Sequence, residues 1–185
     1  MGKEAQALTV FVSHAQRARK EQDGRAIDKR AWQRSPWGWY VELPSTTRGA
    51  AGEKLAAELL VAAGFTVEPR VSVGHDLVVN GAKIEVKTSS LWSGCRYYGF
   101  SQLRDQDYDL LFLLGISPRM LHAWAVPKEV ALRHAFRQHN GAAGQEVRWL
   151  KYIYPDQPPA WIAPYGGDLN AGLGKLAELV GVSRS

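Results

Sequence analysis

Apolar positions fall at helical spacing in one stretch above all. Leu55, Leu59 and Leu60 lie within residues 50–63, introduced by Ser45, Thr46, Thr47, Arg48 and Gly49 and followed by Gly64. That spacing predicts a helix with one buried stripe, and a glycine just past the last apolar residue is a frequent helix stop. Residues 65–73 read as extended. Residues 73–87 read as strand, turn and strand, because Asn80-Gly81 accepts the positive φ angles that a two-residue hairpin demands. The unbroken apolar run 110–116 predicts a strand buried on both faces, and 120–126 repeats the extended pattern. Pro127 suits the first turn of a helix running from Lys128 to about residue 139. Between these, an aromatic, Gly-containing stretch (93–100) leads to an expected short polar helix over 101–107, closed by Tyr108 and Asp109. Residues 147–154 read as a strand, 155–164 as a Pro-rich connection and 169–182 as a short helix.

The mixture predicts an α/β chain of α+β type, a central mixed β-sheet flanked by helices. Three stretches are expected: a basic, aromatic extension (1–44), packed on the core or contacting DNA; a core (45–165); and a C-terminal tail or short helix (166–185). There is no internal repeat and no heptad register. A chain of 185 residues can bury a sizeable core without disulfides.

Charge adds a partner to this picture. The net charge is +5 and the isoelectric point about 9.4, which suits a polyanion. Arg17, Arg19, Lys20, Arg25, Lys29, Arg30 and Arg34 outnumber Glu21, Asp23 and Asp28 between residues 17 and 34. Such a stretch reads either as a solvated helical face or as a DNA-contacting arm, with Arg17, Arg30 and Arg34 as its contacts. The segment 32–40, with Trp32, Trp37, Trp39 and Tyr40, reads as turn-rich, able to stack on bases or to cover the core. The lone Cys95 excludes an internal disulfide framework and favours an intracellular, cytoplasmic setting, nucleoid-associated when bound to DNA. No stretch has the length needed to span a bilayer, and the N-terminus lacks the apolar run of a signal peptide, so no membrane partner is expected.

The hairpin carries the chemistry. With Asn80 and Gly81 central, Val79 faces Ala82, Val78 faces Lys83, Leu77 faces Ile84 and Asp76 faces Glu85. Leu77, Val79, Ile84 and Val86 form an apolar face; Asp76, Lys83, Glu85 and Lys87 form a polar one. Opposed carboxylates repel, and a divalent cation offers a reason to place them together, since Mg²⁺ binds one or two carboxylates and leaves sites for water and phosphate. A solvated hairpin face, with the lysines offsetting the acids, is the alternative.

Asp76, eight residues, then Glu85-Val86-Lys87 resembles the active-site motif of the PD-(D/E)XK nuclease superfamily, the restriction-endonuclease-like fold. Gly52-Glu53, followed by the leucines and Gly64, is similar to the helix that precedes this motif in the family. The resemblance covers roughly residues 49–127. His75 stands where many members have proline; parity puts it on the apolar side, where a hydrogen-bonded structural histidine is expected. The resemblance implies a Mg²⁺-dependent DNA endonuclease, with Mn²⁺ as a substitute, no organic cofactor, and 5′-phosphate and 3′-hydroxyl products. It implies Asp76, Glu85 and the Val86 carbonyl as metal ligands, Glu53 completing the site directly or through water, Lys87 on the attacking water, and Gln102 as a helix residue near the phosphate. Thr88, Ser89, Ser90, Arg96, Tyr97 and Tyr98 are candidates for contacts to double-stranded DNA, while Glu58 is expected at the surface. A homodimer is expected, because cutting two strands is simplest with two symmetric sites. Resolution, homing and repair nucleases, a non-catalytic DNA binder of the same fold and an RNA nuclease remain open alternatives. Ser89 or Cys95 as a covalent nucleophile gains no support, having no identifiable base.

Overall fold

The computed structural model describes residues 29–69, 73–91, 96–141 and 144–181. Arg17 and most of the basic stretch lie outside them. Three helices come first: α1 (Lys29–Trp32), α2 (Gly38–Glu42) and α3 (Ser45–Ala62). Strands β1 (Val67–Pro69), β2 (Leu77–Val79), β3 (Ala82–Ser90), β4 (Tyr98–Leu103), β5 (Leu110–Ile116) and β6 (Leu121–Pro127) follow. Helix α4 (Lys128–His134), β7 (Phe136–Asn140), β8 (Glu146–Ile153), a 3₁₀ turn (Ala163–Tyr165), β9 (Gly166–Asp168) and α5 (Leu169–Leu179) complete the order.

Six strands form a central mixed sheet in the order β1-β2-β3-β5-β6-β9, in which β3 and β5 run parallel and the other neighbours antiparallel. Three form a second, antiparallel sheet in the order β4-β8-β7. Each face of the central sheet has its own core. On one, Leu77, Val79, Ile84, Val86, Phe112 and Leu114 pack with Ala56 and Leu60 of α3 and Leu173 and Leu176 of α5. On the other, Leu111, Leu113, Trp124 and Val126 pack against Tyr98, Phe100, Leu103, Leu150 and Ile153 of the second sheet. Strand β5 lies between both cores and is buried at every residue, which is why its sequence does not alternate.

Helix α3 begins at Ser45, a turn before the apolar stripe. Its fully buried face is Gly52, Ala56 and Leu60, with Leu55 and Leu59 only half-buried beside it. The small residues bring the helix onto β3: a Cβ on Gly52 would collide with the Thr88 side chain. Gly64 ends the helix in the left-handed region at φ 89°.

Several expectations are overturned. Residues 98–103 are a strand, not the lead-in to a polar helix over 101–107; Tyr98, Phe100 and Leu103 point into the second core, and that burial outweighs local preference. Gln102 is therefore a strand residue. Helix α4 stops at His134, and 136–140 pair with β8. The segment 32–40 keeps the turns its sequence predicts, between the end of α1 and the start of α2, and Trp32 and Tyr40 are buried in the first core. The C-terminal segment adds β9 to the sheet edge and lays α5 against β6, where Gly172 meets the Ala123 backbone too closely for any side chain.

Candidate active site

The hairpin has the register that its turn dictates. Asn80 (φ 49°) and Gly81 (φ 89°) form the tight reversal, and Val79↔Ala82, Val78↔Lys83 and Leu77↔Ile84 are the pairs. Pairing ends there, one rung before the expected opposition of Asp76 and Glu85. At Asp76 the chain bends: its N–H donates to the Ile84 carbonyl, and its Oδ2 accepts from the Val86 N–H at 2.8 Å. The carboxylate thus replaces the next rung of the ladder. Beyond it β3 runs on to Ser90 with no strand paired on that side among the described residues, while β5 covers its other edge. Because N–H and C=O of one strand residue leave on the same side, the Val86 carbonyl is directed toward the Asp76 edge.

Strand parity puts Glu85 and Lys87 on the face opposite α3, beside Leu111 and Leu113 of β5. Glu85 is 7% exposed, and its carboxylate lies 2.5 Å from the Lys87 ammonium. Burial raises its pKa above the usual glutamate value; the nearby Asp76 carboxylate also raises it, while Lys87 and Arg104 pull it down. The two acids therefore share one electrostatic neighbourhood even though they are not ladder partners. A buried carboxylate held against a lysine and repelled by a second acid favours an added positive charge.

A cleft of roughly 530 Å³ opens along the free edge of β3. Its floor is Val86, Lys87, Thr88, Ser89 and Ser90; α3 and its approach supply Tyr40, Ser45, Arg48, Gly49 and Glu53; β4 supplies Gly99, Ser101 and Gln102. Glu53 follows Gly52, so the close contact of α3 with Thr88 is what delivers its carboxylate to the cleft. Tyr40 Oη and Thr88 Oγ1 share a hydrogen bond of 2.7 Å, and the Ser89 hydroxyl accepts from the Gly99 N–H, tying β4 to β3. Arg48 donates to the carbonyls of Val41 and Leu43, which fixes its guanidinium at the cleft wall. Gln102, at φ 61°, accepts from Arg104 through its side-chain oxygen at 3.3 Å.

Glu53, Lys87, Gln102, Thr88, Ser89 and Ser90 are thus brought to one cleft, with Asp76 and Glu85 at its β2 end. Arg96 and Tyr97 stand apart from it; Tyr97 packs its ring against Tyr152 and Tyr154. Arg30 and Arg34, both exposed, do not line it either. His75 is buried, and Glu58 is at the surface near Lys54. Tyr40, Arg48 and Arg104 were missed. Arg48 sits within the Ser-Thr-Thr-Arg-Gly run, which by its sequence reads only as a helix entry.

Among the described residues no three side chains of His, Cys, Asp or Glu gather as a ready-made metal cage. The donor set nevertheless fits a hard cation. It offers two carboxylates and a backbone carbonyl at one open strand edge, a set of the kind that leaves Mg²⁺ its waters and a substrate phosphate. Glu53 lines the same cleft from α3.

No family model matches the chain, and no curated protein matches it. Among solved structures a bacterial homing endonuclease aligns with 76% of this chain and 99% of its own, at 18% identity and a TM-score of 0.45. Among the described residues no helix is long and apolar enough to cross a membrane.

Proposed function

We propose that the chain is a Mg²⁺-dependent endodeoxyribonuclease of the PD-(D/E)XK kind. One observation carries this reading: a buried glutamate holds a lysine ammonium at 2.5 Å, next to a second carboxylate, where a strand edge opens into a hydroxyl-lined cleft. A stability role alone does not account for it, since pairing a buried Glu with Lys while leaving Asp76 nearby costs desolvation and repulsion.

In this reading Asp76, Glu85 and the Val86 carbonyl would hold Mg²⁺, with Mn²⁺ as a substitute, and Glu53 would reach it through water. The bound ion would supply a hydroxide nucleophile near neutral pH and stabilise charge on the phosphate. Lys87, oriented by Glu85, would place the attacking water and offset negative charge at phosphorus. Thr88, Ser89 and Ser90 with Arg48 would receive the nucleic-acid backbone, as hydroxyls and guanidinium groups commonly do. The Val86 N–H keeps Asp76 in one orientation, so the acid needs little rearrangement to bind. The products would be a 5′-phosphate and a 3′-hydroxyl, and a homodimer would cut both strands.

Incubating supercoiled plasmid, linear duplex, branched DNA and RNA with the purified chain, in Mg²⁺ or EDTA, tests this. Cleavage of DNA that needs the metal and vanishes in Asp76→Ala and Lys87→Ala, both still folded, is the expected result. Tight binding without cleavage of any substrate means a non-catalytic binder instead. Equal cleavage by wild type and variants removes the site from the mechanism.

A further inference from the structure

The outer face of the second sheet does no work in the chemistry above, yet it is built unlike an ordinary solvent face. Every residue of its edge strand β7 is exposed, including Phe136 at 56%. Cross-strand pairing sets Phe136 opposite Trp149 of β8, so the two rings share a face. The Lys151 ammonium lies 4.0 Å from the centre of the Trp149 ring and 5.0 Å from that of Tyr152. Tyr152 and Tyr154 are both large, exposed and in ring contact with Tyr97.

Two bulges set this surface. Gly99 alone opposes Lys151 and Tyr152, and Trp149 alone opposes Ser101 and Gln102. Each bulge contains a non-glycine residue in the left-handed region, Tyr152 at φ 62° and Gln102 at φ 61°. A bulky tyrosine in that conformation is strained, and Tyr152 belongs to neither core, the residue being 44% exposed. Bulges re-aim side chains. Here Gln102 lines the cleft while Tyr152 is exposed on β8, and β4, which pairs with β8, also supplies Gly99 and Ser101 to the cleft.

Exposed aromatic rings interleaved with cations suit stacked, unpaired bases and the phosphates that link them. Lys151 supplies positive charge at the rings; β7 contains no acid, and Glu146 of β8 is bonded to Arg148. Reading a paired duplex by its base edges would call for hydrogen-bonding side chains more than for open rings. We propose that this face is a stacking platform for unpaired bases next to the cleavage cleft, so that the preferred substrate is DNA with a single-stranded segment beside the duplex. The proposal rests on the nuclease reading for its choice of DNA as the ligand.

The test uses the full chain as Asp76→Asn, which is expected to bind without cutting. Fluorescence anisotropy compares an oligo-dT strand, a blunt duplex and a forked duplex, and 2-aminopurine in the unpaired arm reports stacking directly. Trp149→Ala and Tyr152→Ala are each expected to weaken oligo-dT and forked binding by about 5- to 100-fold, with blunt-duplex binding changed less than about 2-fold. Tyr152→Phe keeps the ring and is expected to restore both affinity and the 2-aminopurine quench. Unchanged oligo-dT and forked binding in the two alanine variants overturns the proposal. So does a dimer, seen by sedimentation, that Phe136→Ala abolishes while DNA binding stays the same, since the face then serves a second copy of the chain. Ring-dependent binding by a chain whose wild type cuts nothing supports the platform and sinks the nuclease reading. Cleavage by a wild type indifferent to these rings does the reverse.

Discussion

The β2–β3 hairpin and the β4–β8–β7 sheet each bring residues to the cleft, but they are specified in different ways. The hairpin is local. Two turn residues fix which side chains oppose, and a period of two then assigns every residue from 77 to 90 to a face. In the second sheet β4 pairs with a strand some fifty residues later, and bulges break the alternation in all three strands. Geometry set by near neighbours can be read from a sequence; geometry set by distant partners and irregular register cannot.

The comparison breaks most sharply if the hairpin residues prove dispensable. Asp76→Ala removes both a proposed ligand and the acceptor of the Val86 N–H, and cleavage is expected to fall about 1000-fold or more. Single-turnover rates at saturating Mg²⁺, with circular dichroism to confirm folding, measure it. A loss under about tenfold is incompatible with the assigned role.

A smaller effect tests how the helix serves the hairpin. Gly52→Ala places a methyl group into the Thr88 side chain, and α3 has to retreat from β3. Overpacking of this kind costs about 1–3 kcal/mol. Urea denaturation reads the stability, and cleavage is expected to fall in step, because the same retreat withdraws Glu53. The double variant Gly52→Ala/Thr88→Ser, which removes one of the colliding methyl groups, is expected to recover part of both.

Gln102 offers the matching test on the second sheet. Glycine relieves a left-handed conformation that disfavours side chains, so Gln102→Gly is expected to stabilise the fold by about 1 kcal/mol while slowing cleavage. A stability unchanged or lowered in thermal melts means that the bulge carries no strain worth relieving.

The smallest effect is a pH dependence. Burial holds the Glu85 carboxyl above its ordinary pKa, so the metal-free folded state binds its proton more tightly than the unfolded chain does. The resulting penalty on stability is absent below the unfolded pKa and fully present once pH exceeds the raised folded value. Glu85→Gln is therefore expected to raise the melting temperature of the metal-free protein at neutral pH and to leave it nearly unchanged in acid. Equal shifts at both pH values rule out this cause.

Legibility followed the same division. The turn, its register and the apolar face that α3 covers could all be derived from residues within a short span. The exact end of the pairing could not, because an aspartate side chain took the place of a backbone rung. Residues 101–103 and 136–139 read as helical because each stretch carries a bulge or adjoins one, which erased the period-two signal, and only burial of Phe100, Leu103 and Val147 fixes them as sheet. Arg48 and Tyr40 were obscured for another reason. They reach the cleft through the packing of α2 and α3, which no spacing in the sequence reports.

Soaking crystals of the protein with Mn²⁺ and locating the ion by anomalous scattering tests the central claim most directly. One peak bounded by Asp76, Glu85 and the Val86 carbonyl, lost in Asp76→Asn, is the predicted result. A peak bound elsewhere, or none at this strand edge while the chain still cuts DNA in a metal-dependent way, contradicts it.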